Sequence, residues 1–268
     1  MKTKAVVFDM DGTLLRDDKS ISAYTMDVLR RTAAAGIHVI PASGRAHPGV
    51  APYADQLGCA SAYIACNGAE IWTPRHEMIH QETLSVELAQ DCAAFAEENA
   101  CHAQVYYGDR FYYSRSEEYA RAYEKSSLMQ GVHVGDLRAF INRPTSKFLI
   151  TDTPERIAVL YAMAQERFAG LANITCSCTY FLEINPLRAS KGIALAEAGK
   201  LLGFDASEAV AFGDGLNDMS MLQTAGMGVA MDNAWQQVKD AIPVHCRSNM
   251  EDGVARFIEE NILTEVNA

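Results

Sequence analysis

The stretch 6-VVFDMDGTLL-15 decides the fold. Val6, Val7 and Phe8 form an apolar run without polar alternation, the pattern of a strand covered on both faces inside a sheet. The run ends in two acids one residue apart, Asp9 and Asp11, followed at once by Gly12 and Thr13. Carboxylates so placed repel each other and lose hydration, which a fold tolerates only when positive charge sits among them. The rest of the chain must supply that charge.

Working outward, the first third alternates strand and helix. A polar loop, 16-RDDKS-20, precedes Ile21, Tyr24, Val28 and Leu29 at helical spacing, and Gly36 stops that helix. The segment 37-IHVIPASGR-45 is a second apolar strand running into a small-residue turn. A short helix follows over 48–57, then a third strand, 62-AYIA-65. Asn67-Gly68, between Ile64 and Ile71, predicts a two-residue hairpin turn at positive φ.

From about 81 to 186 the texture changes. A helix over 86–98 leads into an aromatic hairpin, 103-AQVYYGDRFYYS-114, with Gly108 and Asp109 in its turn. Then come a helix over 117–129, the strand 146-SKFLI-150, a helix from Pro154 to 168, and the strands 173-NITCS-177 and 180-YFLEIN-185. Neighbouring strands with helices on one side read as α+β. Past Pro186 the alternation returns: a helix over 191–202, the strand 209-AVAFGDG-215, a short helix over 216–222, the strand 226-GMGVAM-231 and a last helix over 253–262. The expected fold is α/β, a mostly parallel sheet core of residues 1–81 and 186–268, interrupted by an inserted α+β domain at 82–185.

Composition narrows the function. With 268 residues, 49% of them hydrophobic, the chain buries a full core. A net charge of -11 and a pI near 5.1 argue against nucleic acid or an anionic membrane as the main partner. Seven cysteines, Cys59, Cys66, Cys92, Cys101, Cys176, Cys178 and Cys246, form no framework and read as reduced thiols of a cytoplasmic protein. Cys176 and Cys178 stand too close for a paired-cysteine zinc site and, on a strand, would share one face as buried filler. No stretch reads as a signal peptide or membrane span. His76 and His80 lack a third ligand nearby, so surface positions are expected for them. Oligomeric state leaves no trace in the sequence.

Chemistry collects at three strand ends: Asp9 and Asp11 after the first, Ser43-Gly44-Arg45 after the second, and Gly213-Asp214-Gly215 after a late one. In open parallel sheets ligands sit at the carboxyl ends of strands, so these turns can converge although Asp9 and Asp214 are far apart in the chain. Acids from two strand ends make a hard-oxygen pocket suited to Mg²⁺ with substrate phosphate. Ser43 offers a hydroxyl, with adjoining backbone N–H groups at a helix start, and Lys191 a positive charge for phosphate oxygens. Gly12, Gly44, Gly213 and Gly215 let the backbone approach a ligand. Arg45 either joins the phosphate site or pairs with an acid of this chain.

These residues resemble the haloacid dehalogenase superfamily, specifically its Cof-type phosphatases with a large α/β cap (type IIB). "DMDGTL" is similar to the first motif, "PASGR" to the second, Lys191 in "SKG" to the third and "GDGLND" to the fourth, with further likeness through "NGA", "LEI", "GVAM" and "EDGVA". The resemblance implies a Rossmann-like core and a Mg²⁺-dependent phosphatase of small phosphorylated metabolites, such as sugar phosphates or pyridoxal phosphate. It implies Asp9 as the nucleophile that takes the phosphoryl group, and Asp11 as general acid to the leaving alcohol and then base for water. It implies Mg²⁺ on Asp9, the backbone carbonyl of Asp11, and Asp214. Ser43, Gly44, Lys191 and Asn217 would hold phosphoryl oxygens, and Asp218 would orient Lys191 or a metal water. On this reading Asp11 points its side chain away from the metal and keeps a proton.

The insertion would then hinge over the site through linkers near 81–84 and 185–188, exclude water and read the leaving group. Lys147, Tyr180, Glu183 and Asn185 are the inward-facing candidates by placement, whereas Tyr106, Tyr107, Tyr112 and Tyr113 read as sheet packing. A phosphotransferase or mutase keeps the same residues. A non-catalytic phosphometabolite-binding protein is the third reading, and the presence of Asp11 argues against it.

Overall fold

The computed structural model describes residues 3–264. The chain opens with β1 (Ala5–Asp9), all five residues buried, then α1 (Ala23–Ala34), β2 (His38–Ala42), α2 (His47–Leu57), β3 (Tyr63–Ala65), β4 (Glu70–Trp72) and β5 (Met78–Gln81). The inserted block carries α3 (Val86–Glu98), β6 (His102–Tyr107), β7 (Arg110–Ser114), α4 (Glu117–Ser127), β8 (Gln130–His133), α5 (Leu137–Phe140), β9 (Phe148–Thr151), α6 (Pro154–Arg167), β10 (Ala172–Cys178) and β11 (Phe181–Pro186). The chain then returns through α7 (Lys191–Leu202), β12 (Ala209–Gly213), α8 (Met219–Thr224), β13 (Met227–Met231), α9 (Gln236–Ala241), β14 (Val244–Cys246) and α10 (Gly253–Ile258).

One sheet has the order β14-β13-β12-β1-β2-β3-β4-β5, parallel from β14 to β3 and antiparallel through β4 and β5. The chain builds outward from β1 to one edge, leaves, and resumes on the other side of β1 with β12. That reversal is a switch point, and the helices diverging from it open a crevice at the strands' carboxyl ends. The parallel register sets Phe8 against Phe212 and Asp9 against Ala42, so the three functional turns emerge at one level.

The second sheet has the order β10-β11-β9-β6-β7-β8. Along β6, β9 and β11 the side chains alternate between its two faces. Ala103, Val105, Phe148, Ile150, Leu182 and Ile184 pack under α3 and α6 in one core. The side chains between them, Gln104, Tyr106, Lys147, Leu149, Glu183 and Asn185, are buried on the opposite face. There Tyr106, Leu149 and Tyr123 pack in one cluster with Ala46, Cys66 and Ala69 of the first sheet's loops. This alternation is what puts polar residues of an apparently apolar strand over the crevice.

Several local expectations change. The segment around Asn67 is a 3-10 turn, Cys66–Gly68, and the loop between paired Ala65 and Glu70 holds four residues. The helix expected over 117–129 stops at Ser127, because Leu128 takes a left-handed conformation (φ 62°) and β8 begins two residues on, parallel to β7. Cys176 and Cys178 do not simply share a strand face, since the β10 register shifts between Thr175 and Cys178. Both are half-buried and line cavities. The short edge strands β5, β8 and β14 and the helices α5 and α9 carry too few residues for a periodic pattern to stand out. Tyr107 and Tyr112 do pack against Phe140, and Tyr113 against Phe111.

Candidate active site

At the switch point Lys191 is fully buried, and its ammonium donates to Asp9 Oδ1 and to Asp218 Oδ1, each at 2.5 Å. Lys191 opens α7, whose N-cap Ser190 accepts from the Ile193 N–H, so the capping pattern delivers the lysine to the sheet edge. Asp218 spends its other oxygen on the N–H groups of Asp214 and Gly215, both at 2.9 Å. It therefore shapes the β12 turn while fixing the lysine. Thr13 donates its hydroxyl to Asp214 Oδ1 at 2.7 Å. Gly12 sits at φ +81°, and a Cβ there would lie 2.5 Å from Asp214 Oδ2, so only glycine lets the two turns meet.

Oxygens of Asp9, Asp214 and Asp218 lie within 4.8 Å of one another. Three carboxylates against one ammonium leave two negative charges in a buried place. The titration behaviour expresses this crowding. Burial, with Asp218, Asp214 and Asp11 beside it, pushes Asp9 well above the usual carboxylate range against the pull of Lys191. Burial and Asp218 push Asp214 up to about 7, although the Thr13 hydroxyl opposes them. Burial disfavours charge on Lys191 too, yet the two flanking acids hold it protonated above its ordinary value. A divalent cation fits this donor set in charge and in ligand hardness. Asp9 and Asp214 are its better ligands, because both oxygens of Asp218 are already engaged.

Asp11 behaves differently. Its carboxylate accepts from Arg45 Nε at 2.6 Å, Arg45 Nη2 at 2.7 Å and Lys19 Nζ at 2.8 Å. Burial would raise its pKa, but these bonds outweigh it and hold the group at about 2. The expectation that Asp11 keeps a proton is thus corrected: it is a carboxylate here, and Arg45 is its ion-pair partner. Ser43 is buried in the same cavity, its Oγ accepting from the Arg45 N–H at 3.1 Å, while its own N–H goes to the Ile64 carbonyl. No helix begins directly at Ser43; α2 starts at His47.

The cavity of about 240 Å³ above Asp9 is floored by Asp11, Ser43, Asp214 and Asn217 and roofed by Lys147 and Glu183. A second cleft of about 580 Å³ adjoins it behind Asn67, Asn217 and Cys178, with Ile157, Ile174 and Trp235 among its walls. Of the other residues expected to face inward, Tyr180 is 54% exposed in the β10–β11 turn, with neither cavity reaching it. Asn185 is wholly buried and lines neither cavity. His76 is half-exposed and rests against Asp55 and the Tyr63 hydroxyl.

Sequence reasoning missed the participation of Asn67, Lys19, Thr13 and Ser126. Asn67 read as a turn residue, yet it is 2% exposed and bonds Glu183 and Asn217. Lys19 belonged to a polar loop. Thr13, directly after the two acids and Gly12, carried a signal in its place alone. Ser126 offers only its backbone carbonyl, to Arg45 Nη1 at 2.8 Å, which no side-chain pattern reveals.

Residues 6–258 match the pattern of a family described as haloacid dehalogenase-like hydrolase. A solved haloacid dehalogenase-like hydrolase from Bacteroides thetaiotaomicron superposes with a TM-score of 0.85 at 32% identity, covering 97% of this chain and 99% of that one. Among curated relatives, the HMP-PP phosphatase of Serratia proteamaculans (strain 568) is 29% identical over 96% of this chain and 94% of its own length. The 5-amino-6-(5-phospho-D-ribitylamino)uracil phosphatase YcsE of Bacillus subtilis (strain 168) is 29% identical over 97% of this chain and 96% of its own length. With a buried lysine between acids at the switch point, an α+β cap above it and a family match across nearly its whole length, the chain belongs to the haloacid dehalogenase-like hydrolases.

Proposed function

We propose that this protein is a Mg²⁺-dependent phosphatase of small phosphorylated metabolites, with residues 82–185 as the cap that closes over the phosphate ester. The observation that carries the reading is the buried group of Asp9, Asp214 and Asp218 crowded around the single ammonium of Lys191. Mg²⁺ would be held by Asp9 and Asp214, with the Asp11 carbonyl as the third ligand implied by the family, and would neutralise charge on the transferring phosphoryl group.

The chain's own residues would divide the work. Asp9, through the oxygen that Lys191 does not engage, attacks the phosphorus as the bond to the leaving oxygen breaks. Asp11 gives that oxygen a proton, then takes one from the water that attacks the aspartyl phosphate and frees inorganic phosphate. For the first transfer Arg45 and Lys19 must release Asp11, a bound phosphoryl group being the natural competitor for both cations; the Asp11 pKa then rises, and it takes up from solvent the proton that it passes to the leaving oxygen. Lys191, Ser43 and Asn217 hold the equatorial oxygens, supplying electrostatic stabilisation where negative charge is spread.

The relatives differ in the substrates their names carry, so phosphoryl chemistry transfers to this chain and leaving-group identity does not. A leaving group too large for the 240 Å³ cavity would extend toward the 580 Å³ cleft beside it. The test is phosphate release from a panel of phosphorylated metabolites, with Mg²⁺ and with chelator, for wild type and Asp9→Asn. The expected result is Mg²⁺-dependent release that falls by at least about 10³-fold in the variant. Release that persists in Asp9→Asn, or that ignores chelation, overturns the mechanism.

A further inference from the structure

Above the phosphate side of the cavity, polar side chains that cross from cap to core spend their hydrogen bonds on one another. Glu183 is 1% exposed; one of its oxygens takes the Lys147 ammonium and the other accepts from Asn67 Nδ2 at 2.5 Å. Lys147 gives a further hydrogen bond to the carbonyl of Gly44 at 3.0 Å, beside Ser43. Asn67 Oδ1 in turn accepts from Asn217 Nδ2 at 3.1 Å. The path runs unbroken from the residue before β9 and from β11 of the cap to the turn after β12.

Its midpoint is held tightly. Asn67 occupies the left-handed region at φ 53°, and Gly68 follows at φ +99°, where a Cβ would stand 2.3 Å from the Ser190 carbonyl. The Asn67 turn is therefore wedged against the residue preceding Lys191. Asn217 has two amide hydrogens in one plane. With one fixed on Asn67, the direction of the other is fixed as well.

Each oxygen of Glu183 already accepts from a protein group, and Lys147 spends two of its three N–H groups on protein acceptors, so the pair's contacts run mainly to the fold. We propose that Lys147 and Glu183 are positioning residues forming a latch, which ties the closed cap to Gly44 and Asn67 and through Asn67 aims Asn217 at the phosphoryl group. The reaction to which the latch couples rests on the phosphatase reading; the closure itself does not. Such a pair suits the task because opening hydrates both charges, so it contributes register more than attraction. Chemistry would then proceed only under a seated cap, with water excluded.

The test uses the full-length Mg²⁺-loaded protein and the paired variant Lys147→Met/Glu183→Gln, which leaves no buried charge alone. Amide hydrogen exchange in residues 82–85 and 186–190, with inorganic phosphate present, is expected to rise roughly tenfold as closure weakens. The kcat is expected to fall roughly 10- to 100-fold and by the same factor for every phosphoryl donor, down to acetyl phosphate, whose leaving group is too small to reach the roof. Asn67→Ala should give a similar loss, and combining it with the paired variant should add little more. Losses confined to KM for large esters would overturn the latch in favour of substrate reading. Unchanged linker exchange, or fully additive losses, would also overturn it. If wild type hydrolyses no ester, the phosphatase reading fails by itself, while the linker exchange still decides whether the pair holds the cap.

Discussion

The floor and the roof of the catalytic cavity each bury acids beside a lysine, and they are balanced differently. On the floor, Asp9, Asp214 and Asp218 surround Lys191 and leave negative charge over. On the roof, Glu183 meets Lys147 one to one, and each gains one further bond, to Asn67 and to Gly44. Buried charge without a partner is costly, so an excess that persists marks a place meant to receive something positive. Balanced charge marks a place already complete. On the proposed reading the floor receives a cation and a phosphoryl group, and the roof holds the cap in register.

The strongest way to break this comparison is to remove the ammonium that Asp9 and Asp218 share. Lys191→Met leaves Asp9 and Asp218 without their shared donor, and destabilisation of about 3 kcal/mol is expected in urea unfolding, partly recovered by Mg²⁺. Phosphate release should be lost at the same time. A variant as stable as wild type, with no response to Mg²⁺, would mean that the floor carries no excess charge.

A smaller effect sharpens the same point through pH. Without metal, Asp214 titrates at about 7 in the folded protein against an ordinary 3.8. Between those values the native state keeps a proton that the unfolded chain has released, so metal-free stability falls as pH rises from about 4 to 7. A cation removes this penalty, and competing protons weaken its binding below pH 7. Saturating Mg²⁺ should therefore raise the melting temperature by about 5 °C at pH 8 and by much less at pH 5. An equal rise at both pH values would separate the metal from Asp214.

The smallest effect concerns Asp11, where floor meets cap. Arg45 binds it bidentately and also donates to the Ser126 carbonyl at the end of α4. Asp11 titrates at about 2 in the folded chain, so the stability its pairing provides is present above an ordinary carboxylate pKa and lost as pH falls from about 4 to 2. Arg45→Met should move the Asp11 pKa up by roughly one unit, read by carboxyl NMR titration, with Lys19 retaining part of the shift. A pKa that stays near 2 would assign the depression to Lys19 alone.

Much of the floor was legible because its chemistry lies at strand ends, and strand ends can be read from an apolar run meeting Asp or Gly. Asp9 and Asp214 follow from such boundaries and Lys191 from a helix start, and the structure brings the three together. The roof was legible only as a guess from placement. Lys147 and Glu183 do line the cavity, but Tyr180 turns to solvent and Asn185 is buried away from it. Strand alternation gave Glu183 and Asn185 the same face; how far each reaches depends on the loops packed opposite, which sequence spacing does not encode.

The sequence by itself determined the α/β alternation, the interruption by an α+β insertion and the acids at the switch point, since each rests on local periodicity or a strand boundary. Tertiary structure alone decided the partners. Arg45 went to Asp11, Asn67 became the bridge from Glu183 to Asn217, and Lys147 reached across to the carbonyl of Gly44. Pairings such as these form between segments up to 150 positions apart, and they are set by how the cap sheet settles on the loops of the core. A buried polar group takes whatever complementary atom that packing brings within reach.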